Sequence, residues 1–393
     1  MKEKNNLLIF ILTVGVFGII NTEMGVLGIL PLLAEKFSIS IAQAGLLVSL
    51  FALTVAIAGP VMPLLFAGID RKRVMLLVLI VFVLGNLISV FTDNFAVMLL
   101  ARVVPAIFHP VYCSLAFSVA AASVGPEAAP RAVARVIVGV SAGMVLGVPV
   151  SSFIASNFSL TAAMTGFACV NVAALIATWL LVPSLPVAAR LSYGQQLRVL
   201  KKPVLWFAIA AVIFMNGAVF GVFGYFSGYL TSITAFSWNT VSLILLVYGL
   251  MNIVGNFIAG RLLSISVVAE KLVLIFPVAL GVIYAVFFWG GAFALPVAII
   301  TLLWGVLGGM NANINQYWIT AAAPEAPDFA NGLFLTAANL GTALGSVVCG
   351  LVIARLGMQY MMWGGIAFLV LCLAMIVPGV YKINGDVCLD ENK

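Results

Sequence analysis

The chain has 393 residues, of which 64% are hydrophobic and only 8% charged. A soluble domain carries about 25% charged residues, so a soluble fold is excluded and lipid must supply most of the solvent. The net charge of +6 would suggest nucleic acid in a soluble protein, but here the placement of basic residues across a bilayer accounts for it.

In chain order, Met1 to Asn6 is short and polar. The apolar run after it leads into Asn21-Thr22-Glu23 with no small-residue cleavage site, so it reads as a first spanning helix and not a removed signal. Unbroken apolar runs such as Val74 to Val90 and Leu272 to Phe288 exclude barrel strands, which alternate, and read as helices that satisfy their own backbone. Hydropathy places twelve helices at about 7–30, 42–67, 74–92, 95–122, 131–155, 160–183, 204–231, 240–263, 271–290, 295–322, 329–355 and 358–381. The expected fold is an all-α membrane protein. A six-helix bundle spans 1–185, a cytoplasmic linker 186–203, and a second bundle with a short cytoplasmic tail 204–393. Basic residues from Lys2 to Lys393 fall on one face, with only Lys36 and Arg355 near the other. That asymmetry puts both termini in the cytoplasm. The halves also share a faint repeat. Gly139, Gly143 and Gly147 recur at spacing four on helix 5, and Gly341 and Gly345 on helix 11, where small residues let helices approach closely.

Almost every charge lies at a helix end or in a loop; Glu23 and Arg102 do not. At about 1.5 Å per residue both lie roughly 10–12 Å below the outer surface. Each costs about 2.5–3.5 kcal/mol near the bilayer centre, a cost that pairing offsets. The plain reading is a static brace between helices 1 and 4. The functional reading is a proton carrier, with Glu23 alternating between paired and separated states. His109, the single histidine, lies two turns beyond Arg102 on nearly the same face, with Tyr112 and Cys113 continuing the stripe. Proton relay and simple hydrogen bonding are equally open for it.

Asn216 and Tyr225 on helix 7, Tyr248, Asn252 and Asn256 on helix 8, and Asn311, Asn313, Asn315 and Gln316 on helix 10 are uncharged polar or aromatic groups in apolar spans. With Asn21 and Tyr112 they suit a cavity for a neutral or weakly polar solute. Interhelical hydrogen bonding, worth only about 0.6 kcal/mol on average, is the alternative for any one of them. Asp70-Arg71-Lys72-Arg73 is a charge run in a short loop and reads first as a topology anchor. The five cysteines form neither metal spacing nor a disulfide framework. No catalytic set, phosphate loop or cofactor motif appears.

At these residues the chain resembles the major facilitator superfamily over nearly its whole length, and within it the bacterial drug and sugar efflux branch, the arabinose-efflux-like permeases. Thr22-Glu23-Met24 through Gly28-Ile29-Leu30-Pro31 resembles that branch's helix 1 signature. Ala101-Arg102-Val103 through His109-Pro110 resembles its helix 4 signature, Gly147-Val148-Pro149 its helix 5 antiporter motif, and Asn339-Leu340-Gly341 through Gly345 its helix 11 pattern. The loop between helices 2 and 3 departs. Pro63, Ala67 and Gly68 stand where the Gly, Asp and Arg of the superfamily motif are expected, and Asp70 is displaced, which puts the gating role of Asp70, Arg71 and Arg73 in question.

The resemblance implies two pseudo-symmetric six-helix bundles and export of a drug, sugar, nucleoside or similar metabolite in exchange for protons. The halves would rock about a central space lined by helices 1, 4, 7 and 10. The expected partners are a small-molecule substrate, protons and the lipid bilayer. The expected state is a monomer in the bacterial inner membrane, with no enzyme activity, cofactor, metal or nucleic acid. A proton-coupled or facilitative importer is the alternative within transport, and a non-transporting membrane sensor the alternative outside it.

Overall fold

The computed structural model describes residues 2–39, 41–184 and 193–390, and among these it is helical without strands. Two compact units divide the chain, Met1–Tyr193 and Gly194–Lys393. Much of the expected linker, residues 185–192, lies outside the described residues. The part that follows forms a short helix, Tyr193–Leu197, and a 3-10 turn, Arg198–Lys201.

Unit 1 holds α1 (Lys2–Gly25), α2 (Leu46–Ala58), α3 (Arg71–Phe91), α4 (Phe95–Ala122), α5 (Ala129–Asn157) and α6 (Leu160–Leu181). Unit 2 holds α7 (Pro203–Phe223), α8 (Trp238–Leu262), α9 (Ser266–Gly290), α10 (Ala294–Ala322), α11 (Pro327–Leu356) and α12 (Met361–Asp390). All except α2 are long and apolar enough to cross a membrane. The last helix reaches Asp390, so the segment expected as a cytoplasmic tail continues α12.

Several helix starts follow from local chemistry. Asp70, Asn94, Ser159 and Ser237 each accept a backbone N–H of the first turn of α3, α4, α6 and α8. Such caps satisfy donors that have no partner inside the helix.

Three of the expected helices are broken. The segment expected as one helix over 42–67 stops at Ala58 and resumes at Met62–Phe66, because Gly59-Pro60 intervenes and proline has no N–H to donate. Helix 7 stops at Phe223 and resumes at Phe226–Ser232 after Gly224. The α1 helix ends at Gly25, passes through a 3-10 turn at Val26–Ile29, and resumes at Leu30–Lys36.

The same pairs recur within each unit. In unit 1, α1 packs on α5 and α6, α2 on α4, and α3 on α6; in unit 2, α7 packs on α11 and α12, α8 on α10, and α9 on α12. Glycines make the tightest of these contacts. A Cβ on Gly139 would lie 2.4 Å from the Thr13 carbonyl, and one on Gly143 would lie 2.8 Å from the Ile20 side chain. Across α7 and α11, a Cβ on Gly341 or Gly345 would lie 2.2 Å from the carbonyls of Ile213 and Gly217 respectively. The spacing-four glycines are thus packing devices at matched interfaces of the two units.

Candidate functional site

The break in α1 creates the chemistry of unit 1. Carbonyls at the end of a helix lose their intrahelical donors, and in a dry interior they must find others. Three side chains of α4 and α5 supply them here. The Arg102 guanidinium donates to the carbonyls of Thr22 at 3.2 Å and Glu23 at 3.3 Å, and its Nε to that of Leu47 on α2 at 3.1 Å. Ser151 donates to the Gly25 carbonyl at 2.6 Å, and Ser152 to the Gly28 carbonyl at 2.8 Å. Gly28 must be glycine for this, since a Cβ there would lie 2.4 Å from the Val148 carbonyl and 2.6 Å from both serine hydroxyls. Thr22 is held in turn from α3 and α6. Its hydroxyl accepts from Asn86 at 3.2 Å and Asn171 at 2.8 Å.

With Arg102 turned to main-chain carbonyls, the Glu23 carboxylate pairs with His109 instead: Oε2 lies 3.3 Å from Nε2, and both side chains are buried. Glu23 and Arg102 are expected to meet, directly or through water, in at least one state; in this structure the Glu23 carboxylate meets His109 and Arg102 binds the Glu23 main-chain carbonyl. Arg102 and His109 flank one ring. The guanidinium carbon lies 5.3 Å above Phe51, and the imidazole meets the same ring edge-on at 6.0 Å. Phe51 thus bars water from one side of both groups, and Arg102 gains a cation–π contact. Nδ1 of His109 is buried without a partner. With His109 neutral, the charges of Glu23 and Arg102 cancel. One further proton on the Glu23–His109 pair leaves a net positive charge in a dry site, which is costly unless the surroundings rearrange.

The remaining expected residues of unit 1 fall elsewhere. Tyr112 is fully buried against α1, where a Cβ on Gly15 would lie within van der Waals overlap of its hydroxyl. Asn21 faces α5, its oxygen beside Gly147. Pro149 lies inside α5, between Gly147 and Ser151, which meet Gly25, and does not interrupt the helix. Asp70 caps α3 through the Arg73 N–H at 3.1 Å and accepts from Ser184 at 2.7 Å, while Lys72 donates to the Trp179 carbonyl at 2.8 Å. The start of α3, which carries Arg71, is thereby tied to the end of α6.

Unit 2 carries amides where unit 1 carries charges. Asn315 donates to Asn311 at 3.0 Å, Asn311 to Asn216 at 3.2 Å, and Asn216 to the Val212 carbonyl at 2.9 Å. A second ladder joins α8 to α10: Asn313 donates to Asn256 at 2.7 Å, and Asn256 to the Asn252 carbonyl at 2.9 Å. It sits where the helices nearly touch, a Cβ on Gly255 lying 2.0 Å from the Val306 carbonyl. Tyr248 stacks on Phe223 at 4.8 Å and packs on Trp304 at 4.9 Å, within a buried cluster that includes Phe226 and Phe287. Tyr225 donates to the Ser346 carbonyl of α11 at 3.0 Å. Asn339 bonds back to the Leu335 carbonyl of its own helix. No group of His, Cys, Asp or Glu able to hold a metal occurs among the described residues.

Ser151, Ser152, the Asn86–Asn171 support and Phe51 were not among the expected site residues, and Thr22 stood out only as part of the helix 1 signature. The serine hydroxyls carried no signal beyond their polarity in apolar spans.

The family model of the Major Facilitator Superfamily matches residues 12–345. An MFS-type transporter of Bacillus subtilis, YtbD, is 32% identical over 90% of both chains. A Helicobacter pylori protein named as a probable sugar efflux transporter is 27% identical over 93% of both. Among solved structures, the human organic anion transporter MFSD10 superposes with a TM-score of 0.79 at 16% identity, covering 95% of this chain and 99% of that one. At that identity the likeness shows the fold alone. A chain of many spanning helices, duplicated helix pairing and a family match over most of its length is a multi-pass membrane transporter and not an enzyme, and it belongs to the major facilitator superfamily.

Proposed function

We propose that the protein exports small organic molecules by alternating access in exchange for protons, with Glu23 and His109 as the proton-holding pair and Arg102 as its fixed counter-charge. The observation that carries this reading is the buried Glu23–His109 contact at 3.3 Å, made by the only carboxylate among the described residues of unit 1 that lies well inside a spanning helix. A carboxylate and an imidazole in contact share one proton with little movement of heavy atoms. Arg102 makes the site neutral before the pair gains a proton and positive afterwards, so gain of a proton biases the break in α1 toward another arrangement. The direction of transport follows the similarity to proteins named for sugar efflux. The Asn315–Asn311–Asn216 ladder is the solute-binding element of this proposal, suited to a neutral or weakly polar molecule such as a sugar, nucleoside or drug. Both termini face the cytoplasm, the protein resides in the inner membrane of a bacterium, and it acts as a monomer.

Proton-driven uptake into everted vesicles tests the proposal. Glu23→Gln and His109→Phe should each abolish accumulation driven by an imposed pH gradient, while solute counterflow without a gradient persists. Full gradient-driven activity in both variants, normalised to folded protein, ends the proton-carrier assignment. A gradient that drives solute out of everted vesicles reverses the direction and identifies an importer.

A further inference from the structure

Asn21 and Glu23 are two residues apart on α1 and so face different neighbours. Glu23 meets α4, and Asn21 lies against Gly147 of α5. Beside Asn21 a cavity of about 150 Å³ opens between α1, α5 and α6, walled by Phe17, Leu146, Gly166 and Phe167 and reached by Ser151. Asn21 is only 8% exposed, yet its amide makes no hydrogen bond to any described residue. The Ser151 hydroxyl gives its proton to the Gly25 carbonyl and can only accept from the cavity. The Asn21 amide lines the cavity, so a polar group placed there can pair with it. A lipid acyl chain would fill the apolar walls but leave the amide unpaired. Apolar walls with one placed polar group are the pattern of a small-molecule site, and a cavity of about 150 Å³ accommodates one ring.

We propose that this cavity is a binding subsite for a small amphipathic molecule, a single ring bearing one hydroxyl or carbonyl group. Asn21 hydrogen-bonds that group, and Phe17, Leu146 and Phe167 hold the ring. The subsite deepens the reading of the chain as a transporter of small organic molecules and rests on it for its purpose. Its test measures binding alone, so it succeeds or fails apart from proton coupling.

Purified full-length protein in nanodiscs is titrated with 4-bromophenol and with bromobenzene, and the bromine is located by anomalous diffraction. 4-Bromophenol should bind at least about tenfold more tightly than bromobenzene, because only it pairs with the amide. Gly166→Leu should lower that affinity at least about tenfold by filling the cavity. A Cβ at Gly166 meets nothing within 4 Å, so this variant should fold with an unchanged unfolding temperature. Asn21→Leu should erase the preference between the two probes, and Asn21→Ala serves if the leucine does not fold. Equal affinity of the wild type for both probes would reduce the cavity to an apolar crevice for acyl chains and overturn the proposal. So would binding that Gly166→Leu leaves unchanged, or bromine found elsewhere.

Discussion

In unit 1, α1 meets α4 through Glu23, His109 and Arg102; in unit 2, the counterpart helices α7 and α10 meet through Asn216, Asn311 and Asn315. The backbone pairing is alike, but the buried chemistry is not. Charged groups in a dry site change their energy steeply with protonation and with the position of a neighbour. Amides hold the same hydrogen bonds at every pH. A duplicated scaffold can thus carry a proton-sensitive element in one copy and a proton-blind solute element in the other. The α1 break makes the difference possible, because its freed carbonyls give Arg102 acceptors that do not titrate. Among the described residues no buried arginine lies beside the corresponding break at Gly224 in unit 2; there Tyr225 donates to the Ser346 carbonyl.

The contrast breaks most sharply at Arg102. Arg102→Ala removes three hydrogen bonds and leaves Glu23 and His109 without counter-charge, so it should cost about 3–5 kcal/mol, read as a large fall in unfolding temperature. Arg102→Lys should recover little, because an ammonium cannot span acceptors on α1 and α2 in the guanidinium's planar geometry. An unfolding temperature within a degree of wild type for Arg102→Ala would show that the carbonyls are not held by this side chain.

The shared scaffold can be tested where it is expected to be equal. Gly139→Ala in unit 1 and Gly345→Ala in unit 2 each press a Cβ onto a facing carbonyl, at 2.4 and 2.2 Å. Both should destabilise by about 1–3 kcal/mol through overpacking. Marked asymmetry between the two in thermal unfolding would show that the matched interfaces are not equivalent.

The smallest effect belongs to the amide ladders. Asn313→Ala breaks the tie between α8 and α10 and Asn311→Ala the tie between α7 and α10, each expected to cost about 0.6 kcal/mol. The two should separate in function. Asn311→Ala should raise the apparent KM for solute several-fold, whereas Asn313→Ala should leave it unchanged, because Asn313 serves packing. Equal KM shifts would merge the ladders into one site.

Much of this was legible in the residues themselves. The membrane class, the twelve apolar segments and the glycine-spaced interfaces follow from hydropathy and spacing, which are properties of short windows of chain. So do Glu23, Arg102 and His109 as the buried polar groups of unit 1, because a charge in an apolar run is conspicuous wherever the helix points. The partners were not legible. Rotation by one residue turns a side chain about 100° around its helix, so equal depth of Glu23 and Arg102 does not say that they touch. Only the tertiary structure places His109 on the carboxylate, Arg102 on the freed carbonyls of α1, and Asn256 and Asn313 in a seam between glycines. The physical reason is that these contacts depend on where α1 loses its regular hydrogen bonding, and on which neighbours in α4 and α5 satisfy the backbone that it exposes.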